Sequence, residues 1–332
     1  MKILGKYPST RLRRVRNFEW IRRLTSENDL TVNDLIQPLF IRDGKNKVEK
    51  IKTMPGVYRY SLDKIDILLK KVKSLRIPMI AIFPHTPNNK KNIYGTEALN
   101  VNNLVCKAIR KVKKKYPKIG IMTDVALDPY TNHGHDGVLT NNKVDNDKTI
   151  EILIKQAILQ AKAGSDVIAP SDMMDGRIGE IRKSLEKENL KDIIILSYAV
   201  KYASNFYGPF RDAIGSKAKL RGNKKSYQMD FKNKNEALRE VGYDINEGAD
   251  IVMIKPGLPY LDIIKSIKDN FKIPVFAYQV SGEYSLIKNG IKNKIINEEA
   301  IEESILSLKR SGASAIVTYF ALDIAKKLNK SS

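Results

Sequence analysis

Residues 250–262 read DIVMIKPGLPYLD, an apolar run that ends on Lys255 and is stopped at once by Pro256 and Gly257. Ile251–Lys255 does not alternate apolar with polar residues, which is the pattern of a strand covered on both faces. A lysine in such a strand needs a use or a neutralising partner, although one at the very end could also snorkel into water. Working outward, comparable runs occur at Leu35–Ile41, Met79–Phe83, Gly120–Leu127, Asp166–Pro170, Ile193–Ala199, Pro274–Val280 and Ala315–Phe320. Amphipathic helical patterns separate most of them, among them Leu62–Leu75, Thr149–Ala163, Arg177–Glu188 and Glu299–Arg310. Alternation of this kind implies parallel strands joined by right-handed crossovers. Eight strand candidates favour an α/β fold of the closed (β/α)8 TIM-barrel type over an open doubly wound sheet. No GxGxxG follows the first strand, which weakens a dinucleotide-binding reading.

Two segments fall outside the plain barrel pattern. Residues 1–34 precede the first strand and interleave Arg11, Arg13, Arg14, Arg16, Arg22 and Arg23 with Leu12, Val15, Phe18 and Trp20. The apolar members predict an arm that packs on something, with a neighbouring subunit the preferred candidate. The barrel is then residues 35–332. The second segment, about 205–231, is a long insertion after the fifth strand, rich in glycine and basic residues. A long loop leaving the catalytic end of a barrel strand predicts a lid.

The chain has 332 residues, 42% of them hydrophobic and 29% charged, enough to bury a sizeable core. No apolar run reaches the roughly 20 residues of a membrane span, and the N-terminus lacks the apolar core of a secretory signal. A cytoplasmic protein without a membrane partner is expected. One cysteine, Cys106, cannot form an internal disulfide or a cysteine-based zinc site; its helical surroundings predict a buried, inert thiol. The net charge of +22 comes from lysines spread along the chain. No zinc-finger, RNP-type or helix-turn-helix signal accompanies them, so nucleic acid is not the expected partner.

Lys201 follows the fifth strand candidate as Lys255 ends the sixth. Consecutive strands of a βα barrel are neighbours, so both amines should stand at one end of the barrel, where each positive charge disfavours the other. A neutral amine there could attack a ketone. Residues 123–137, TDVALDPYTNHGHDG, bring Asp124, Asp128, His133, His135 and Asp136 after the third strand. That spacing suits a hard metal such as Mg²⁺ or, equally, a polar loop without an ion. Ser171, Ser281, Tyr319 and the lid's Arg211 add hydroxyls and a two-pronged cation for carboxylates.

The runs DIVMIKPGLPYLD, SYAVKYASNFYGPFRDA, TDVALDPYTNHGHDG, APSDMMDGRI, SYQMD, YQVSGEY and TYF together resemble the 5-aminolevulinate dehydratase (porphobilinogen synthase) family, in the same order and over essentially the whole chain. The opening, RLRRVRNFEWIRRLTSENDLTVNDLIQPLFI, is similar to the family's arm and first strand. The resemblance implies a lyase that condenses two 5-aminolevulinate molecules into porphobilinogen, the pyrrole precursor of haem and other tetrapyrroles. By the same resemblance Lys255 would form the Schiff base with the first substrate, Lys201 would engage the second, and Asp124 would lie near the second substrate's amine. Ser281 and Tyr319 would hold the first carboxylate; Arg211, Lys224 and Gln228 in the lid would hold the other. Tyr207 and Phe210 would close over the pocket, with Ser171, Asp128 and Asp136 also facing substrate.

Zinc-using members of the family carry three cysteines where this chain has Ala126, Asp128 and Asp136. The resemblance therefore implies the aspartate-rich, zinc-independent type without catalytic zinc. Glu240, in EALREVGYD, matches the ligand of an allosteric Mg²⁺, and the arm implies a homo-octamer. Whether Asp128 and Asp136 bind a metal, whether Mg²⁺ is required or only stimulates, and which tetrapyrrole follows stay open at this level. The alternative enzyme is a class I Schiff-base aldolase acting on another carbonyl substrate, for which one lysine would suffice.

Overall fold

A computed structural model of the chain describes residues 5–215, 220 and 222–331. Residues 1–4 of the expected arm, and 216–219 and 221 of the expected lid, lie outside the described residues. The chain divides into two compact units, Met1–Leu30 and Thr31–Ser332. In the first, a 3-10 turn at Leu12–Arg16 and a helix at Glu19–Leu24 carry Phe18 and Trp20, whose rings stack with centroids 6.3 Å apart. Leu12, Phe18 and Trp20 are all more than half exposed. The second unit begins a few residues ahead of its first strand because a capped turn belongs to it. Asp34 accepts from the Thr31 backbone at 2.8 Å and pairs with Lys309 of the barrel at 2.5 Å.

The strands of this unit are β1 (Leu35–Arg42), β2 (Met79–His85), β3 (Gly120–Val125), β4 (Val167–Pro170), β5 (Ile194–Lys201), β6 (Ile251–Lys255), β7 (Val275–Tyr278) and β8 (Ala315–Val317). They pair in sequence order, and β8 returns to β1 through Leu35↔Ile316 and Ile36↔Val317, closing an eight-strand parallel barrel. The helices are α1 (Asp66–Ser74), α2 (Leu104–Lys115), α3 (Asn146–Lys162), α4 (Arg177–Lys187), α5 (Asn235–Asn246), α6 (Leu261–Asn270), α7 (Ser281–Lys292), α8 (Glu299–Arg310) and α9 (Ala321–Ser331). The expected (β/α)8 TIM barrel is what the chain forms. Among the described residues no helix is long and apolar enough to cross a membrane.

Differences from the sequence reading lie at element ends. β5 runs on through Lys201, and β8 stops short of Tyr319, which stands in the turn after it. α3 starts at Asn146, because Asp145 caps it by accepting from the Lys148 backbone at 3.2 Å. Two hairpins were not anticipated. Val48–Lys50 pairs antiparallel with Tyr58–Ser61, which then lies parallel to the end of β1 with Phe40↔Arg59 in register. Leu139–Thr140 pairs with Lys143–Val144 across Asn141 and Asn142, both at positive φ, the asparagine-tolerated geometry of a tight hairpin turn.

Cys106 is fully buried on α2, and burial pushes its thiol up to about 11. Beside that helix, the inner faces of α3 and α4 pack Leu153, Ala157, Ile178 and Ile181 against Val125 of β3 and Ile168 of β4. Leu153 lies with no exposed surface. Leu153→Ala should cost about 2–5 kcal/mol, because its neighbours cannot collapse into the space; a lower denaturant midpoint at unchanged slope is the expected readout.

Candidate functional site

The site is set by the pairing of β5 with β6. Lys255 stands opposite Lys201 in that register, so the two amines are neighbours at the C-terminal end of the barrel. Between Val252↔Ser197 and Ile254↔Val200 the sixth strand advances two residues and the fifth three. This β-bulge matters, because strict alternation would send Tyr198 and Lys201 to opposite faces. The extra residue lets the Tyr198 ring lie 5.1 Å from the Lys255 ammonium while Lys201 also faces inward. Tyr278, Phe210 and Tyr207 complete the cage around Lys255, with ring centroids at 4.6, 4.9 and 5.5 Å.

Burial in this cage disfavours the charged amine, and the Lys201 charge adds to the effect, so Lys255 falls to about 7. Asp124, Asp128 and Asp136 pull the other way without cancelling it. Asp124, at the end of β3, is raised to about 6 by burial and by the Asp128 charge. One of its oxygens is buried and without a hydrogen-bond partner. For Asp136 burial is outweighed by Lys201 and Lys224, which hold its carboxyl well below the usual range. The contacts are direct: Lys224 reaches Asp136 at 2.8 Å and Asp128 at 3.4 Å, and Lys201 reaches Asp136 at 3.4 Å. Lys201 also donates to the Ser171 carbonyl. Burial would lower Lys224, yet Asp128 and Asp136 hold it above the ordinary lysine value.

The lid begins with a turn at Asn205–Tyr207 and a six-residue helix, Gly208–Ala213, carrying Phe210 and a half-buried Arg211. Tyr207 donates to the Lys255 carbonyl at 3.0 Å, and the Phe210 backbone donates to Ser281 at 2.8 Å. The segment returns to the barrel at Met229, whose backbone donates to the Lys201 carbonyl at 3.0 Å. Just before it, the buried Gln228 leaves its side-chain oxygen without a partner. Tyr319 shares a hydrogen bond of 3.0 Å with Tyr278. Lys255, Lys201, Asp124, Asp128, Asp136, Ser171, Lys224, Tyr207 and Phe210 are thus joined by contacts or by mutual electrostatic influence. Ser281 and Tyr319 adjoin this group through Phe210 and Tyr278.

Among the described residues, no three His, Cys, Asp or Glu form a metal-ligand cluster. The 123–137 loop meets groups from other parts of the chain. Its carboxylates face ammonium groups, His135 bonds Tyr227 at 3.0 Å, and His133 bonds the Ile93 carbonyl at 3.2 Å. Glu240 stands apart from this group, on α5. Burial and then the nearby Asp244 and Asp175 carboxylates raise it to about 7, against the opposing Arg177 charge. Arg177 is fully buried, lies 3.7 Å from Glu240, and donates to Ser197 of β5 at 3.2 Å. A cleft of about 670 Å³ brings Glu240 and Asp175 together with Tyr227 and Gln228 of the lid.

Sequence reading missed several contributors. Tyr198 and Tyr278 lie in apolar runs whose facing depends on a bulge and on exact register. Tyr227 supports the carboxylate loop from the lid, donating to His135 or accepting from it and accepting from the Asp136 backbone at 3.3 Å. Glu283, buried at the start of α7, accepts from the Leu258 and Val280 backbones at 2.5 Å each. It ties the turn after Lys255 to the turn before Ser281. An acid two residues after Ser281 was the available signal.

Comparison with known proteins agrees with this geometry. Residues 9–327 match the family described as Delta-aminolevulinic acid dehydratase. A delta-aminolevulinic acid dehydratase of Bradyrhizobium diazoefficiens is 53% identical over 319 residues, covering 96% of this chain and 90% of the relative. That of Methanothermus sociabilis is 47% identical over 323 residues, covering 97% of this chain and 100% of the relative. Among solved structures, delta-aminolevulinic acid dehydratase (porphobilinogen synthase) from Toxoplasma gondii, in complex with the reaction product porphobilinogen, superposes with a TM-score of 0.95. It is 42% identical, and the match covers 97% of this chain and 92% of that one. With a family match over nearly its whole length, the chain belongs to the delta-aminolevulinic acid dehydratase family.

Proposed function

We propose that this protein condenses two 5-aminolevulinate molecules to porphobilinogen through lysine Schiff bases. The observation that carries the reading is the pair of amines, Lys255 and Lys201, on adjacent strand ends inside one buried group of carboxylates. The neutral Lys255 amine adds to the ketone carbon of the first substrate, and the carbinolamine loses water to give an imine. An iminium withdraws electrons better than the ketone and so eases carbon–carbon bond formation. Lys201 engages the second substrate in the same way. Asp124, titrating near neutrality, can take up and return protons beside them. Ser281 and Tyr319 hold the first substrate's carboxylate; Arg211, Lys224 and Gln228 hold the second. Closure of the lid excludes water and aligns two molecules that otherwise meet only by collision. An aldolase would need one such lysine, and the second amine favours the condensation.

The metal reading follows from donor chemistry. Ala126, Asp128 and Asp136 offer no thiolate, and the one cysteine lies on α2. We therefore assign the chain to the aspartate-rich, zinc-independent type. Glu240, with Asp175 and Asp244 nearby, fits Mg²⁺, which keeps most of its waters and needs few protein ligands. Bound there, the ion would neutralise this carboxylate group next to Arg177, which reaches β5 through Ser197. The exposed Leu12, Phe18 and Trp20 of the arm support assembly into a homo-octamer.

Four outcomes test these readings. Chelator-treated protein should form porphobilinogen without zinc, at a rate unchanged or raised by Mg²⁺; activity only with zinc would remove the metal assignment. Glu240→Ala should abolish the magnesium response while leaving basal turnover, and a retained response would move the ion elsewhere. Lys255 loses its proton near 7 instead of at the ordinary 10.5, so the neutral fraction grows as pH rises through 7. Borohydride trapping of levulinate on Lys255 should therefore increase on the order of tenfold between about pH 6 and about pH 8. Lys201→Met, by removing a neighbouring charge, should move that midpoint upward; a downward or absent shift would contradict the electrostatic account.

A further inference from the structure

The geometry points to Arg59 as the positioning residue that holds the lid helix, and with it Arg211, over the second substrate. The helix Gly208–Ala213 has six residues, far too few to hold its shape unaided. Its place depends on what grips its ends. At the front, the Phe210 backbone is held by Ser281 at 2.8 Å. At the back, the Arg59 guanidinium donates to the carbonyl of Ala213 through Nε and to that of Asp212 through Nη2, both at 2.5 Å. These are last-turn carbonyls at the negative end of the helix dipole; that of Ala213 lies beyond the helical ladder, and that of Asp212 also accepts from the Gly215 backbone at 3.1 Å. Arg211 directly precedes the gripped residues.

Arg59 is itself fixed. It is buried on the unanticipated strand Tyr58–Ser61, in register with Phe40 at the end of β1. Its third nitrogen pairs with Glu49 across the hairpin at 2.8 Å, and Glu49 also meets Arg42. The same hairpin connection supplies a second grip, since Thr53 donates to the Asp212 side chain at 2.8 Å. Gly215, just beyond the helix, has φ of +70° and sits so close to the His85 ring that a Cβ would come within 2.8 Å of Nε2. The planar fork of arginine can span two successive carbonyls while pairing a carboxylate, and a lysine ammonium cannot reproduce that geometry. Arg59 contacts the end of the lid helix and Glu49 and not the two reacting amines, so it acts through Arg211.

This inference rests on the reading that Arg211 holds the second substrate's carboxylate, and the experiment separates the two. Porphobilinogen formation by full-length Arg59→Met is followed against substrate concentration, with levulinate trapping on Lys255 measured in parallel. KM should rise by between about tenfold and about a hundredfold, while half-saturation of trapping stays within about twofold of the parent. Thr53→Val, a milder loosening of the same grip, should raise KM about threefold and carries the test if Arg59→Met folds poorly. Combined with Arg211→Lys, the Arg59→Met effect on KM should be much less than additive, because both changes disable one contact. Unchanged KM in both latch variants, or trapping that weakens in step with KM, would overturn the latch. If Arg211→Lys raises KM and the latch variants do not, only the latch falls; if Arg211→Lys leaves KM unchanged, the reading of Arg211 fails and takes the latch with it.

Discussion

Three ammonium groups and three carboxylates have to share one buried barrel end, and this charge balance organises everything around it. An unpaired buried ion costs several kcal/mol, so Lys201, Lys224 and Lys255 need Asp124, Asp128 and Asp136 within reach. The balance is uneven by design of the surroundings. Asp136 lies between Lys201 and Lys224 and stays ionised, whereas Lys255 faces four aromatic rings and gives up its proton easily. Asp124 near 6 and Lys255 near 7 have moved toward each other from opposite ends of the scale. Two groups so placed can each gain or lose a proton around neutrality.

The lid is part of that balance. Lys224 comes from the lid, yet its partners belong to the loop after β3. Tyr227, three residues later, holds the same loop through His135 and the Asp136 backbone. Any movement that withdraws this segment therefore uncovers carboxylates as well as space. The front of the lid is tied differently, to the turns after β6 and β7, through Tyr207 and Phe210. The two ends thus report on different halves of the pocket.

Much of this was legible in the sequence, for definite reasons. Doubly covered strands announce themselves as unbroken apolar runs, so the barrel and the two strand-end lysines could be read from residues alone. The aspartates were legible as residues but not in their contacts, because the ammonium groups beside them arrive from β5 and from the lid. The cage around Lys255 was hidden by one extra residue in β5, since Tyr198 and Lys201 share a face only across that bulge. Arg59 was hidden for another reason. Its strand is four residues long, and its value lies wholly in partners more than a hundred and fifty positions away.

The chain's one thiol sits with no exposed surface on α2, its proton held to about 11. Oxidants, alkylating agents and soft metal ions attack thiolates, and the barrel end holds none. It holds amines and carboxylates instead, groups that ordinary changes of redox state leave untouched. These charged groups keep the same chemical form whether their surroundings are reducing or oxidising.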